Sequence, residues 1–456
     1  MRLGLAGILI EKLLIDGAIR LERMMTGTLN RQLYLLVIIS RHGDRIHYFQ
    51  DPKTYKGFFT KITPLGLAES FQLGTFLHST YLNPRSASHI EGIRSDLVDS
   101  KQLQVFSKNG GEGNVVFDSA IATLQGLFPP NPRNRVTLAN GTTVVAPFDG
   151  YQYIPVETVE PVNDRLLEPW THCPAFQRHI REFYSSPEFR AKARESRPFL
   201  DFLRPFVFGR PTNLVNAWNI FDFINTQFTY NETYAEQLPP GVLGRIRSLA
   251  DFHENGVFSD RRPFGIGNIA SRTLMHLIIT ALERMGHCHD PLKLTLIETG
   301  YQPFISFFHE IEADRQNPEL EAIPDFSSII AIELHESGHR RTLQFKFKNG
   351  TESGFEPIQA YGHRGGIPLE EFILRAKPGV ISNNREWARV CGVRGVDDVA
   401  EPVLEWANYD HYYLAVALLL AVLLFVRWVK GRTSVQGTRS APHSASEKGA
   451  DETPEN

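Results

Sequence analysis

Apolar and aromatic side chains run without a break from Leu33 to Ile39 and then stop at Ser40-Arg41-His42-Gly43-Asp44-Arg45. A continuous, partly β-branched run of this length is the pattern of a strand covered on both faces. Its abrupt polar end predicts a loop at the carboxyl edge of a sheet, where open α/β sheets hold their ligands. Thr63-Pro64 offers an N-cap and a first-turn proline, and Leu67, Phe71, Gly74, Leu77 and Tyr81 follow at three- and four-residue spacing, which predicts a helix packed on the sheet. Residues 83–116, rich in Ser, Gly and Asn, read as irregular until a helical pattern resumes from Phe117 to Phe128 and ends at Pro129-Pro130. Arg133 to Tyr153 alternates as an exposed hairpin does, with its turn at Asn140-Gly141. Leu292–Ile297, Ser328–Leu334 and Leu343–Phe347 predict further strands, the last two paired around Ser337-Gly338, and Asn268–Met285 predicts another helix.

From Trp170 to about Leu249 the strand signal fades and aromatic-rich helical segments replace it. The predicted fold class is therefore α/β: a central mixed, mostly parallel sheet flanked by helices, with a smaller, mostly helical cap at roughly 170–250. Tyr412 to Val426 is almost purely apolar, and Arg427 and Trp428 extend it at an interface, so 412–429 reads as a single C-terminal transmembrane helix. Arg427, Lys430 and Arg432 place residues 430–456, a polar and disordered tail, in the cytosol, with the body (31–405) luminal or extracellular. Residues 1–30 form a signal-like leader: Met1-Arg2 and an apolar Leu3–Ile10 are interrupted by Glu11, Lys12 and Asp16.

A net charge of −3 over 456 residues, with no dense Lys/Arg run, argues against nucleic acid as a partner. Three cysteines allow at most one intrachain disulfide and show no zinc spacing; the neighbours in His287-Cys288-His289-Asp290 point in different directions, so no metal and no cofactor is expected. Asn140, Asn231 and Asn349 stand in Asn-x-Thr glycosylation acceptors, in keeping with a luminal body.

The chemistry sits in the loop after the first strand. Guanidinium forks suit phosphate oxygens, and Gly43 lets the backbone turn closely around what Arg41 and Arg45 hold. Between two permanent cations the imidazolium of His42 is disfavoured, so a neutral ring is available to attack. The stretch resembles the R-H-G-x-R motif of the histidine acid phosphatases, branch 2 of the histidine phosphatase superfamily, with His47 where that family usually has proline. The likeness extends through Thr63-Pro64-Leu65-Gly66, Leu127-Phe128-Pro129-Pro130, Cys173-Pro174 with Phe176, Asn231-Glu232-Thr233 before Leu238-Pro239, and Pro368-Leu369-Phe372 leading to Trp387 and Cys391. It implies a phosphomonoester hydrolase in which His42 forms a phosphohistidine while Arg41 and Arg45 neutralise the equatorial oxygens, and a disulfide between Cys173 and Cys391.

Two departures stand against that activity. The family's R-S-T-D-x-D-R-T stretch supplies a further clamp arginine; counting back from Leu127 puts Val115 there, and starting from Arg94-Ser95-Asp96 puts Ser100 there. The family's His-Asp pair, a phosphate donor and a general acid, falls on Gly300-Tyr301, and His335-Glu336, His309-Glu310 and Glu298 are the replacements to weigh. Loss of one charged donor costs on the order of 10²–10³ in rate, and loss of a general acid ~10²–10⁴. The expectation is a catalytically degenerate member with weak or lost activity; the alternative is a membrane-anchored pseudophosphatase that binds a phosphorylated ligand or a protein. Expected partners are a phosphomonoester or phosphate-bearing ligand, the membrane through 412–429 and a second copy of the chain as a homodimer, in the lysosome or at the cell surface.

Overall fold

The computed structural model describes residues 32–393 apart from 110, 111, 113, 160–163, 261, 285–289 and 339. The leader, the span at 412–429, the tail and Cys288 lie outside these residues. Among the described residues, no helix is long and apolar enough to cross a membrane.

The first apolar run forms β1 (Gln32–Arg41) at the centre of the main sheet. Leu35, Val37 and Ile39 face one core and Leu33, Leu36 and Ile38 the other, so burial on both sides rather than alternation set the sequence pattern. The helix at Thr63-Pro64 is α1 (Pro64–Leu77), capped by the Thr63 hydroxyl, which accepts from the Gly66 amide. Its inward face is Gly66, Ser70, Leu73, Gly74 and Leu77, whereas Leu67 and Phe71, expected inside, are exposed. The reason is close backbone packing against α2 (Val115–Leu127): a Cβ at Gly74 would lie 2.0 Å from the Thr123 carbonyl oxygen, and one at Gly126 would lie 2.1 Å from that of Phe71.

The stretch read as irregular contains β2 (Leu103–Ser107), which joins the central sheet. The expected hairpin is β3 (Arg135–Thr137) and β4 (Thr143–Val145), exposed, with Gly141 at positive φ in the turn. The cap is helical: α3 (Pro174–Ser185), α4 (Pro187–Phe202), α5 (Ala217–Tyr230), α6 (Glu232–Gln237) and α7 (Val242–Phe258) enclose a separate core that includes Leu203, Ile220, Ile224 and Ile246. The chain then returns through α8 (Ile269–Arg284) to β5 (Leu294–Thr299), followed by α9 (Gln302–Glu310), β6 (Ile329–Ser337), β7 (Arg340–Lys348), β8 (Glu356–Ile358), β9 (Ile367–Pro368), α10 (Leu369–Ala376) and α11 (Asn384–Cys391). Cys173 and Cys391 are bonded, which ties the start of α3 to the end of α11.

The sheet order is β2-β5-β1-β6-β7-β8, with β9 also on β7. Strand β5 is parallel to both β1 and β2, but β1–β6, β6–β7, β7–β8 and β7–β9 are antiparallel, so the sheet is mixed without being mostly parallel. The physical cause is the short connection from Ser337 to Arg340: Gly338, at φ +63°, makes a tight turn with no room for a crossover helix. Helices α8, α9 and α10 cover one face, and α1 and α2 cover the other. The three parallel strands end together, with Arg41 opposite Thr299 and Ser107 opposite Glu298, and the site lies at that edge.

Candidate active site

Arg41, His42 and Arg45 converge beside Phe326. The two guanidinium carbons stand 4.3 and 5.7 Å from its ring centre, and the His42 ring lies 5.5 Å from it. All three are buried, at 6%, 0% and 2% exposure. The loop is held closely: Gly43 donates its N–H to Ser119 Oγ, and a Cβ there would meet the Gly66 carbonyl oxygen at 2.1 Å, so glycine alone fits against the start of α1. Asp44 accepts from the hydroxyls of Thr63 and Tyr230, and its amide donates to Glu69. Asp222, on cap helix α5, accepts from Arg45 Nη1 at 2.9 Å and from the Tyr48 amide at 2.6 Å, so the cap completes the site wall.

At the centre stands a carboxylate from the chain itself. Glu112 Oε1 is 3.2 Å from His42 Nε2 and 3.6 Å from Arg45 Nε, and Oε2 is held by Lys108 Nζ. Glu112 and Lys108 are each 1% exposed. Lys108, His42 and Arg45 together hold the Glu112 carboxyl well below the usual range against the opposing effect of burial. The Gly43 carbonyl, 2.8 Å from His42 Nδ1, can only accept, so Nδ1 carries a hydrogen and Nε2 is the atom that faces Glu112. Burial lowers the His42 pKa, Glu112 works in the opposite direction, and the two arginines lower it further. Glu112 at Nε2 pulls toward the imidazolium and ties up the nucleophilic nitrogen, while the balance of these effects still lies below the ordinary imidazole value. Burial and Arg45 push Arg41 down to about 10; its guanidinium donates to the Pro324 carbonyl, and its Nε has no hydrogen-bond partner.

The places of the missing parts can now be assigned. Val115 is buried at the start of α2 and supplies no cation; Lys108, directly after β2, brings one into the site instead. Ser100 lies in the turn before β2. Gly300 and Tyr301 follow β5 as expected, with the Tyr301 ring 5.3 Å from the Arg41 guanidinium and its hydroxyl donating to Glu254 at 2.7 Å. The proposed replacements do not reach the site. His335 bonds Glu333 near the amino end of β1, and His309 bonds Asp314 and the Asp260 carbonyl at the far end of α9. Glu298 lies on the α1/α2 face of the sheet and accepts from Ser40 Oγ at 3.0 Å. Sequence reasoning missed Lys108, Glu112, Glu168, Gln302 and Phe326. The one signal available was an acid set among Gly110, Gly111 and Gly113 directly after a strand.

Burial raises Glu298 from 4.5 to about 8, and its Oε2 has no partner. The folded chain therefore keeps this proton where the unfolded chain has lost it, so stability is fully present below about pH 4.5 and falls as pH rises toward 8. Glu298→Gln is expected to flatten the fall in thermal midpoint over this window, an effect on the order of a few kcal/mol. An unchanged slope in melting curves taken across the range would contradict the assignment.

An α/β sheet carrying a buried Arg-His-Arg loop at the end of its first strand, beneath a helical cap, agrees with the resemblance drawn from the R-H-G-x-R motif. No family model matches the chain. It is 24% identical to lysosomal acid phosphatase of Homo sapiens over 413 residues, covering 88% of this chain and 90% of that protein. Against prostatic acid phosphatase of Bos taurus the identity is 22% over 390 residues, 82% of this chain and 92% of that protein. Its fold is similar to that of the Citrobacter braakii phytase, with a TM-score of 0.54 at 13% identity, covering 78% of this chain and 99% of the other. Over most of its length the chain is thus similar to the lysosomal and prostatic acid phosphatases, in keeping with a histidine acid phosphatase.

Proposed function

We propose that the chain is a phosphomonoester hydrolase working through a phosphohistidine at His42. Its turnover is held low by the missing clamp arginine and His-Asp pair and by a resting state in which Glu112 occupies the anion seat. The observation that carries this reading is the Glu112 carboxylate itself, an anion held by His42 Nε2, Arg45 and Lys108 where a phosphoryl group would sit. A substrate phosphate that displaces it takes over Arg45 and Lys108 and leaves the Nε2 lone pair free to attack phosphorus. The lysosomal and prostatic acid phosphatases support the substrate class. The test is phosphate release from an aryl phosphate near pH 5 by the full chain and by His42→Ala; equal release from both ends the reading.

The closed seat also favours a second reading, a pseudophosphatase that binds a phosphorylated ligand or a protein without turnover. In that case inorganic phosphate raises the thermal midpoint, Arg41→Ala removes the rise, and no His42-dependent release is seen. For location we propose a luminal body anchored through 412–429. Alkaline carbonate is then expected to leave the full chain in the membrane pellet and to release a chain ending at residue 405. Release of both would remove the anchor.

A further inference from the structure

The first half of the reaction leaves an alkoxide; Gly300 carries no acid for it, and the Tyr301 hydroxyl is engaged in donating to Glu254. Glu168 lies in the same enclosed region, 2% exposed, with Oε1 3.7 Å from Lys108 Nζ. The contacts run in sequence: His42 Nε2 to one oxygen of Glu112, the other oxygen to Lys108, and Lys108 to Glu168. Along this series of contacts Glu168 is the next carboxyl group beyond Lys108, on the far side of the anion seat from His42 Nε2 in order of contact. This side also holds an unfilled polar place. Gln302, 1% exposed, has no partner for either Oε1 or Nε2, and a Cβ at Gly300 would lie 2.4 Å from that Oε1 and 3.6 Å from Lys108 Nζ.

We infer that Glu168 is the general acid that protonates the leaving oxygen, with Lys108 holding its carboxyl group in place and Gln302 bonding the departing alcohol. The inference rests on the hydrolase reading above. As the His42 Nε2–phosphorus bond forms, the phosphorus–oxygen bond of the ester breaks, its electron pair stays on the alcohol oxygen, and that oxygen takes the Glu168 proton. The Glu168 carboxylate then accepts a proton from the water that attacks phosphohistidine, the phosphorus–nitrogen bond breaks, and the lone pair returns to His42.

Protonation in acid fits this role. Burial raises Glu168 to about 7, with Glu112 and Asp164 adding to the rise and Lys108 opposing it. The Tyr48 hydroxyl and Arg165 also feel its charge. An acid of this pKa is in its working form in mildly acidic solution.

The experiment compares two substrates, an alkyl phosphate, whose leaving alcohol needs a proton, and p-nitrophenyl phosphate, whose phenolate does not. Glu168→Gln is expected to lower kcat on the alkyl ester by ~10²–10³ and on the aryl ester by less than about tenfold, with Glu168→Asp recovering part of the alkyl rate. Equal losses on both esters, or no loss, overturn the assignment. Should Glu168→Gln fail to fold, the wild-type profile decides. The alkyl rate falling through about pH 7 while the aryl rate holds supports the role, and an alkyl rate that is flat there overturns it. Release that does not depend on His42 in the wild type removes the hydrolase reading and this role with it, whereas His42-dependent turnover with equal Glu168→Gln losses removes only the role.

Discussion

Glu112→Ala is expected to lower the thermal midpoint in phosphate-free buffer and to raise both phosphate affinity and aryl phosphate turnover, on the order of tenfold or more. The first effect follows from burial: Lys108, His42 and Arg45 share this carboxylate, and Arg41 lies within its field. Removing a carboxylate shared by buried cations costs about 3–5 kcal/mol. The second follows from competition, because an internal anion reduces apparent affinity by the fraction of time that it fills the seat. Added inorganic phosphate is therefore expected to restore the midpoint of Glu112→Ala more than it raises that of the wild type. Calorimetric scans with and without phosphate measure both. A variant as stable as the wild type, with no greater response to phosphate, would mean that the carboxylate does not stand in the seat.

His42→Ala is expected to abolish turnover in both the wild-type and the Glu112→Ala backgrounds, while Arg41→Ala costs on the order of 10²–10³ in rate. The difference is expected because His42 Nε2 is the atom aimed at the anion, whereas charge on the equatorial oxygens would be shared between Arg41, Arg45 and Lys108. Steady-state assays near pH 5 separate the two. Residual turnover in Glu112→Ala/His42→Ala equal to that of Glu112→Ala would place the chemistry elsewhere.

The Arg41–His42–Arg45 loop was legible because β1 is covered on both faces, so its apolar run and polar end are both sharp. The buried face of α1 was legible only in part: Gly74 and Leu77 face inward as expected, but Gly66 and Ser70 complete the face by closeness of backbones while Leu67 and Phe71 stay outside. Hydrophobic spacing cannot report a helix that packs through small residues. Strand β2 was hidden by its length, five residues in a polar surrounding. That omission also concealed Lys108: counting back from Leu127 assumed an ungapped path, whereas the cation enters from the end of the unrecognised strand. Glu112 lacked any motif, since an acid among glycines reads as a linker until His42, Arg45 and Lys108 are found around it. Glu168 lies 126 positions after His42 in the chain and becomes a neighbour of the site only through Lys108.

The most direct test is a short incubation of the full chain with an aryl phosphomonoester, quenched in alkali, followed by mass analysis of the peptide that carries His42. A phosphoryl group on His42, more abundant in Glu112→Ala and absent in His42→Ala, is the expected result. No phosphoryl group on that peptide in either the wild type or Glu112→Ala would contradict a seat built to pass phosphate to His42.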